Sequence, residues 1–173
     1  LGTAHHKFLQ FISLPRVSSV DHLRQEAIRL QHAHILSSQE AAGLNFDALA
    51  NFWISELGKK ISGQPDSVRR ELAFTARFAP SELAGKSPEM EPEFVVVQGV
   101  VDLAVVLPRE LWVVDFKTDT FAKTELTAKV HAYEPQLILY VRALERIFHR
   151  PVTGCWLHFL SHGTSVRVNS GQA

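Results

Sequence analysis

Apolar positions recur along this chain with three different spacings, and the spacings divide it. Over the first third they return every three or four residues, as on one face of a helix. Phe8, Leu9 and Ile12 form one stripe and predict a helix over Gly2 to Ser13, with Thr3 as N-cap and Pro15 as its end. A second helix is predicted over Asp21 to Leu36, capped by Asp21, with Leu23, Ala27, Leu30 and His34 on one side. A third runs from Asn45 to Ile61 on Phe46, Leu49, Phe52, Trp53 and Leu57, with Gly58 and Gly63 marking its end.

From Arg70 to Phe78 the period falls to two: Leu72, Phe74, Ala76 and Phe78 alternate with Glu71, Ala73, Thr75 and Arg77, the pattern of a half-buried strand. A polar, Pro-containing loop covers Ala79 to Glu93. Then alternation disappears. Val95 to Leu107 and Leu111 to Lys117 are almost continuously apolar and are separated by a turn at Pro108, Arg109 and Glu110. Runs of this kind suit strands covered on both faces, here joined as a hairpin. A loop over Thr118 to Lys123 and a short helix over Thr124 to His131 follow. Pro135 suits a first helical turn, so a firm helix is predicted over Gln136 to His149. Val152 to Leu160 is a further strand and Ser165 to Val168 an edge strand. Helices, three strands, a helix and a strand make an α/β or α+β domain with a mixed sheet and helices packed on it.

Composition narrows the functional classes. With 173 residues, 46% of them hydrophobic, the chain has enough apolar surface for a folded core. It reads as one domain, 1–173, with a mainly helical part over 1–63 and sheet and helices over 68–168. Lys plus Arg number 18, as do Asp plus Glu, so the formal net charge is zero. That balance counts against a free-standing nucleic-acid binder unless charge is segregated or a partner supplies it. The single cysteine, Cys155, excludes a disulfide framework and a four-cysteine zinc or iron–sulfur site within this chain. No run approaches the ~18 apolar residues of a membrane span, and no signal peptide is visible, so the cytoplasm is the default location. The opening Leu1-Gly2-Thr3, without methionine, reads as a piece excised from something longer.

Three charges interrupt or end the apolar runs: Asp102, Asp115 and Lys117. Burying a charge is unfavourable unless it is paired or binds a metal. Asp115 and Lys117 are two apart and so share a strand face. If the strands pair about the 108–110 turn, Asp102 approaches Asp115. Two carboxylates and an ammonium then meet at a spot able to hold a divalent cation and its water. The plain alternative is a turn-initiating Asp102 and an edge-strand ion pair between Asp115 and Lys117.

The same segment resembles the core of the PD-(D/E)xK nuclease superfamily: an acid on one strand, then Asp/Glu-x-Lys on the next, with Val101 where that family has proline. Downstream, Gln136-x-x-x-Tyr140 places two polar side chains on one helix face. Together with Gln-Gly-x-x-Asp and Asp-x-Lys-Thr-Asp, it is similar to the RecB-like branch, the C-terminal nuclease domain of AddA/RecB-type helicase–nucleases. Gly2-Thr3-Ala4-His5-His6 resembles the opening Gly-Thr-x-x-His of that branch.

The resemblance spans roughly 2–168 and implies a restriction-endonuclease-like α/β fold, with a mixed sheet flanked by helices and an N-terminal helical segment. It implies that Asp102, Asp115 and Lys117 are catalytic, with Gln136 and Tyr140 flanking the centre. It makes His6, Asp102, Asp115 and the carbonyl of Phe116 metal ligands, with Glu71 as a further acid; an exposed strand carboxylate is the plain alternative for Glu71.

The implied activity is metal-dependent hydrolysis of DNA phosphodiester bonds, an exodeoxyribonuclease in double-strand-break repair and recombination. Carboxylate oxygens suit one or two Mg²⁺ or Mn²⁺ ions, and no iron–sulfur cluster is expected. Lys117 would orient the water or stabilise developing negative charge. The implied partners are DNA, a helicase domain in the same parent chain and a second recombination subunit, with no membrane. No Gly-x-x-x-x-Gly-Lys-Ser/Thr loop is present, so the chain itself is not the motor. Two alternatives remain: a stand-alone RecB-like exonuclease, and a catalytically inactive module that clamps DNA or a partner subunit.

Overall fold

In a computed structural model, which describes residues 2–84 and 94–169, a five-stranded sheet lies between two helical layers. The chain begins with α1 (Gly2–Phe11), α2 (Val20–His32), α3 (Ser38–Ala42), α4 (Phe46–Ile54) and α5 (Glu56–Ser62). It continues through β1 (Val68–Phe78), α6 (Pro80–Ala84), β2 (Val95–Val106), β3 (Leu111–Lys117), α7 (Leu126–Phe148), β4 (Val152–Phe159) and β5 (Thr164–Arg167). The strands lie in sequence order, antiparallel except for β3 and β4, which are parallel and joined by α7. This is the expected α/β architecture with a mixed sheet flanked by helices. No helix of the described residues is long and apolar enough to cross a membrane.

Several boundaries differ from the sequence reading, each for a local reason. Thr3 lies inside α1, so it is not the cap. The cap of α2 is Ser19, whose hydroxyl accepts from the His22 N–H; Asp21 sits in the first turn instead. The third helix is two. Ser55 breaks it and caps α5 by accepting from the Gly58 N–H. A Cβ on Gly58 would lie 2.2 Å from the Phe52 carbonyl oxygen and 2.6 Å from the Trp53 Cα, so glycine permits the tight junction. Conversely, the two helices expected around Pro135 are one, α7, with Pro135 inside it. An interior proline costs roughly 3 kcal/mol. Its tolerance follows from an apolar stripe that runs through it, since Leu126, Val130, Tyr133, Leu137, Val141 and Leu144 all pack on the sheet. The expected loop Ala79–Glu93 starts with α6, and 85–93 lie outside the described residues.

Two cores flank the sheet. One joins α1, α2, α4 and α5 to Val68, Leu103, Val105, Val114 and Phe116. The other joins α7 to Phe74, Ala76, Phe78, Val101, Ala104 and Val113. In a regular strand, residues of one parity share a face. Val68 and Phe74 do not, nor do Val101 and Leu103: both strands change face partway along. The change on β1 falls at Glu71, which has φ 49°. The register pairs Arg70 with Leu103 and Leu72 with Val101, which leaves Glu71 facing Asp102 across a missing rung. The candidate acids thus occupy the pivot where two strands pass from one core to the other.

Candidate metal and catalytic site

His6 reaches this pivot from α1, Glu71 from β1 and Asp102 from β2. One donor atom of each lies within 4.8 Å of the other two. The sequence places them there for separate reasons. Phe8, Leu9 and Ile12 bury one side of α1 and leave His6 half-buried at its edge. The left-handed backbone at Glu71 interrupts the β1–β2 ladder. On the other side of β2, the ladder with β3 ends at Leu103 and Val114. Beyond it the Phe116 N–H donates to Asp102 Oδ2 at 2.7 Å, a side-chain bond where a ladder bond would otherwise form.

His6 bridges two acceptors. Its Nε2 lies 3.0 Å from the Phe116 carbonyl oxygen and its Nδ1 3.3 Å from Asp102 Oδ1. Both acceptors are best met by an N–H, so this arrangement favours the protonated imidazole. Accordingly the His6 pKa is raised, chiefly by the hydrogen bond to Asp102 and against the effect of burial. When protonated, the ring supplies a positive charge among the acids.

Asp115 and Lys117 share one face of β3, as their spacing predicts. Lys117 Nζ is 2.8 Å from Asp115 Oδ2. Asp115 is 4% exposed, and apart from that ion pair its Oδ2 has no hydrogen-bond partner. Its pKa is pushed up to about 6 by burial and then by Asp102, against the opposing effect of Lys117. Burial and Asp102 also raise the pKa of Glu71. Both acids are shifted toward their neutral forms, first by burial and then by the neighbouring Asp102 carboxylate.

The donor types suit a hard divalent ion: an imidazole, carboxylates, a peptide carbonyl already turned toward His6, and a buried carboxylate oxygen short of partners. The tight group is His6, Glu71 and Asp102, while Asp115 adjoins it and is turned to Lys117. Glu71, read as secondary from sequence, therefore stands closer to the centre of the cluster than Asp115 does.

Gln136 and Tyr140, one turn apart on α7, bond each other: Gln136 Nε2 donates to Tyr140 Oη at 2.6 Å. The Tyr140 ring meets Phe74 edge-on, with centroids 5.2 Å apart. It also covers Gly99, where a Cβ would come within 2.8 Å of both rings. The pair bonds internally and packs beside β1 and β2. Sequence reasoning missed Tyr133 and Asp119. Lys117 Nζ sits 4.2 Å from the centre of the Tyr133 ring, and the Tyr133 hydroxyl donates to Asp119 Oδ2. The available signals were Asp119 two residues after Lys117, and Tyr133 one helical turn before Gln136.

With this geometry in view, comparison with known proteins gives a consistent answer. A profile of the PD-(D/E)XK nuclease superfamily matches residues 1–169. An ATP-dependent helicase/nuclease subunit from Moorella thermoacetica is 32% identical over 171 residues, covering 98% of this chain and 12% of the relative. Its counterpart in Enterococcus faecalis is 28% identical over 174 residues, covering 99% of this chain and 14% of the relative. The chain thus spans about an eighth of the length of these curated relatives. It belongs to the PD-(D/E)XK nuclease superfamily.

Proposed function

From that membership we propose that this chain hydrolyses DNA phosphodiester bonds with the help of a divalent cation, as the nuclease part of a cytoplasmic helicase–nuclease in double-strand-break repair. The observation that carries the proposal is the meeting of His6, Glu71 and Asp102 within 4.8 Å, next to a buried Asp115–Lys117 pair. His6, Asp102, Asp115 and the Phe116 carbonyl would hold Mg²⁺ or Mn²⁺, with Glu71 as an additional donor. Such an ion supplies Lewis acidity toward a phosphoryl oxygen and acidifies a coordinated water.

The residues of the chain set the conditions for this chemistry. His6 would have to give up its proton to act as a donor, so loading the site would release protons. Asp115, its pKa pushed up to about 6, would be drawn further toward its ionised form by a positive charge at the site. Lys117 is then left facing the site with its ammonium, able to stabilise negative charge on the phosphate or orient the attacking water. Gln136 and Tyr140 flank the substrate path as hydrogen-bonding groups on α7.

The relatives carry names of helicase/nuclease subunits, and the chain matches a small part of each. This supports a helicase elsewhere in the parent polypeptide and a second subunit beside it. The test is digestion of linear DNA by this chain with Mn²⁺, with Mg²⁺ and with EDTA, beside Asp102→Asn and Lys117→Ala. Metal-dependent cleavage that both variants lose by roughly 100-fold or more supports the proposal. Cleavage in EDTA, or full activity of Lys117→Ala, refutes it. A metal-loaded chain that binds DNA without cutting it indicates the inactive clamp.

A further inference from the structure

We propose that Tyr133, anchored by Asp119, is a positioning residue that holds the Lys117 ammonium at the candidate site. The assignment deepens the nuclease reading and rests on Lys117 acting as described there. Among the described residues, Lys117 Nζ meets the Asp115 carboxylate at 2.8 Å and the face of the Tyr133 ring at 4.2 Å. Its side chain is only 15% exposed, so the ring acts on a largely desolvated cation, where such contacts are strongest.

The ring is itself fixed. Its hydroxyl donates to Asp119 Oδ2, and Lys129 Nζ holds the same oxygen from 3.0 Å. The Asp119 carbonyl in turn accepts from Ser161 Oγ. Through the bond to Asp119 the phenol pKa is pushed up to about 12, so the donor is protonated around neutral pH. A chain of contacts therefore runs from the loop after β3, through α7, back to the end of β3.

The need for this clamp follows from chemistry. A lysine side chain has four rotatable bonds and a strongly hydrated head group. Were Asp115 to turn toward a cation, its contact with Lys117 would weaken, and Asp115 alone would not keep the ammonium in place. The Tyr133 face remains. An aromatic ring suits this task because it attracts the ammonium without taking its proton and without competing for metal.

Two readouts test the assignment in this chain. In metal-free protein with 13C-labelled lysine, the ε-methylene protons of Lys117 should be shifted upfield by the ring, with the signal identified by its loss in Lys117→Arg. Tyr133→Leu should abolish that shift, and Tyr133→Trp should keep one. In Mn²⁺-dependent cleavage, Tyr133→Leu should lower kcat about 10- to 100-fold, with KM for DNA and Mn²⁺ affinity unchanged. Tyr133→Trp should restore most of the rate, and Tyr133→Phe, which keeps the ring but loses Asp119, should fall between. The assignment is overturned by an absent shift in the unsubstituted chain. It is equally overturned by normal kcat in Tyr133→Leu, or by a loss that tracks metal affinity or thermal stability. If the shift is present but the unsubstituted chain cuts no DNA, the nuclease reading fails and the positioning role goes with it, while the clamp geometry stands.

Discussion

Glu71 offers the sharpest check on how the site is built. A non-glycine residue at φ 49° in the middle of a strand crowds its Cβ against the following carbonyl. That crowding costs about 1–2 kcal/mol and is absent for glycine. In an ordinary strand the preference runs the other way: glycine is less stable than alanine by roughly 0.5–1 kcal/mol, because it loses more freedom on folding. Glu71→Ala and Glu71→Gly remove the same carboxylate, so the difference between them isolates the backbone. Relief of crowding less the flexibility penalty spans roughly 0–1.5 kcal/mol and centres on a Gly variant ahead by about 0.75 kcal/mol. For a domain of this size, ~1 kcal/mol moves Tm by about 2–4 °C, so the Gly variant should melt about 1–4 °C above the Ala variant. Thermal unfolding followed by circular dichroism in EDTA measures this without involving metal. A Gly variant that melts at or below the Ala variant would show an ordinary extended strand, and the pivot argument would fail. A Mn²⁺ titration of the same pair should show equal weakening, since both have lost the same donor.

Four further outcomes are expected. The folded-state pKa of Asp115 is raised to about 6, so its contribution favours the fold below about pH 4 and is lost as pH rises through 6; the raised His6 and Glu71 act in the same sense. Buried His158, its pKa pushed down to about 4, acts in the opposite sense, so the test is a difference: in EDTA, raising the pH from 5 to 7.5 should favour the Tm of Asp115→Asn more than that of the unsubstituted chain, and an identical slope in the variant would contradict the burial argument. Gly58→Ala should destabilise by roughly 1–3 kcal/mol in chemical denaturation, because its Cβ would meet fixed backbone, and a neutral result would mean that the α4–α5 junction is looser than described. Tyr140→Phe should leave Tm nearly unchanged and slow cleavage, whereas an unaltered rate would confine Tyr140 to packing against Phe74 and Gly99. With no net charge to release counterions, the chain should bind single-stranded DNA with Kd above about 1 μM in anisotropy at physiological salt with Ca²⁺; tighter binding would show that it recruits its own substrate.

The parts of the molecule that sequence predicted are those where one local rule decides. The β2–β3 hairpin followed from two apolar runs and a turn, and its ladder ends at Leu103 and Val114, one step before Asp102 and Asp115. Asp115 and Lys117 share a face because strands alternate. The break at Ser55 and the continuity through Pro135 escaped, because in each case tertiary packing outweighs the local signal. The apolar stripe of α7 carries it through the proline, and the cap at Ser55 with the close approach of Gly58 ends α4 in the middle of a good stripe. Tyr133 was hidden by its plain reading as core. Its ring does pack near Phe159, with centroids 6.4 Å apart, but only the folded backbone shows that its other neighbour is the Lys117 ammonium.

The change of face at Glu71 and Asp102 had no sequence signal. Glutamate is not a residue that marks a positive φ, and the alternation over Leu72 to Phe78 extrapolates smoothly back to Arg70. Yet this irregularity accounts for the position of the site. Near Val68 and Val105 the strands cover the helices of the N-terminal part; near Phe74 and Val101 they cover α7. The ladder between β2 and β3 stops at Leu103 and Val114, one step short of Asp102 and Asp115. The two acids therefore stand where the sheet comes apart, Asp102 partly exposed and Asp115 buried beside it. Had the pair fallen one step further into the ladder, in place of Leu103 and Val114, both carboxylates would lie among fully buried apolar side chains. Both would then be driven to their neutral forms and could hold no cation.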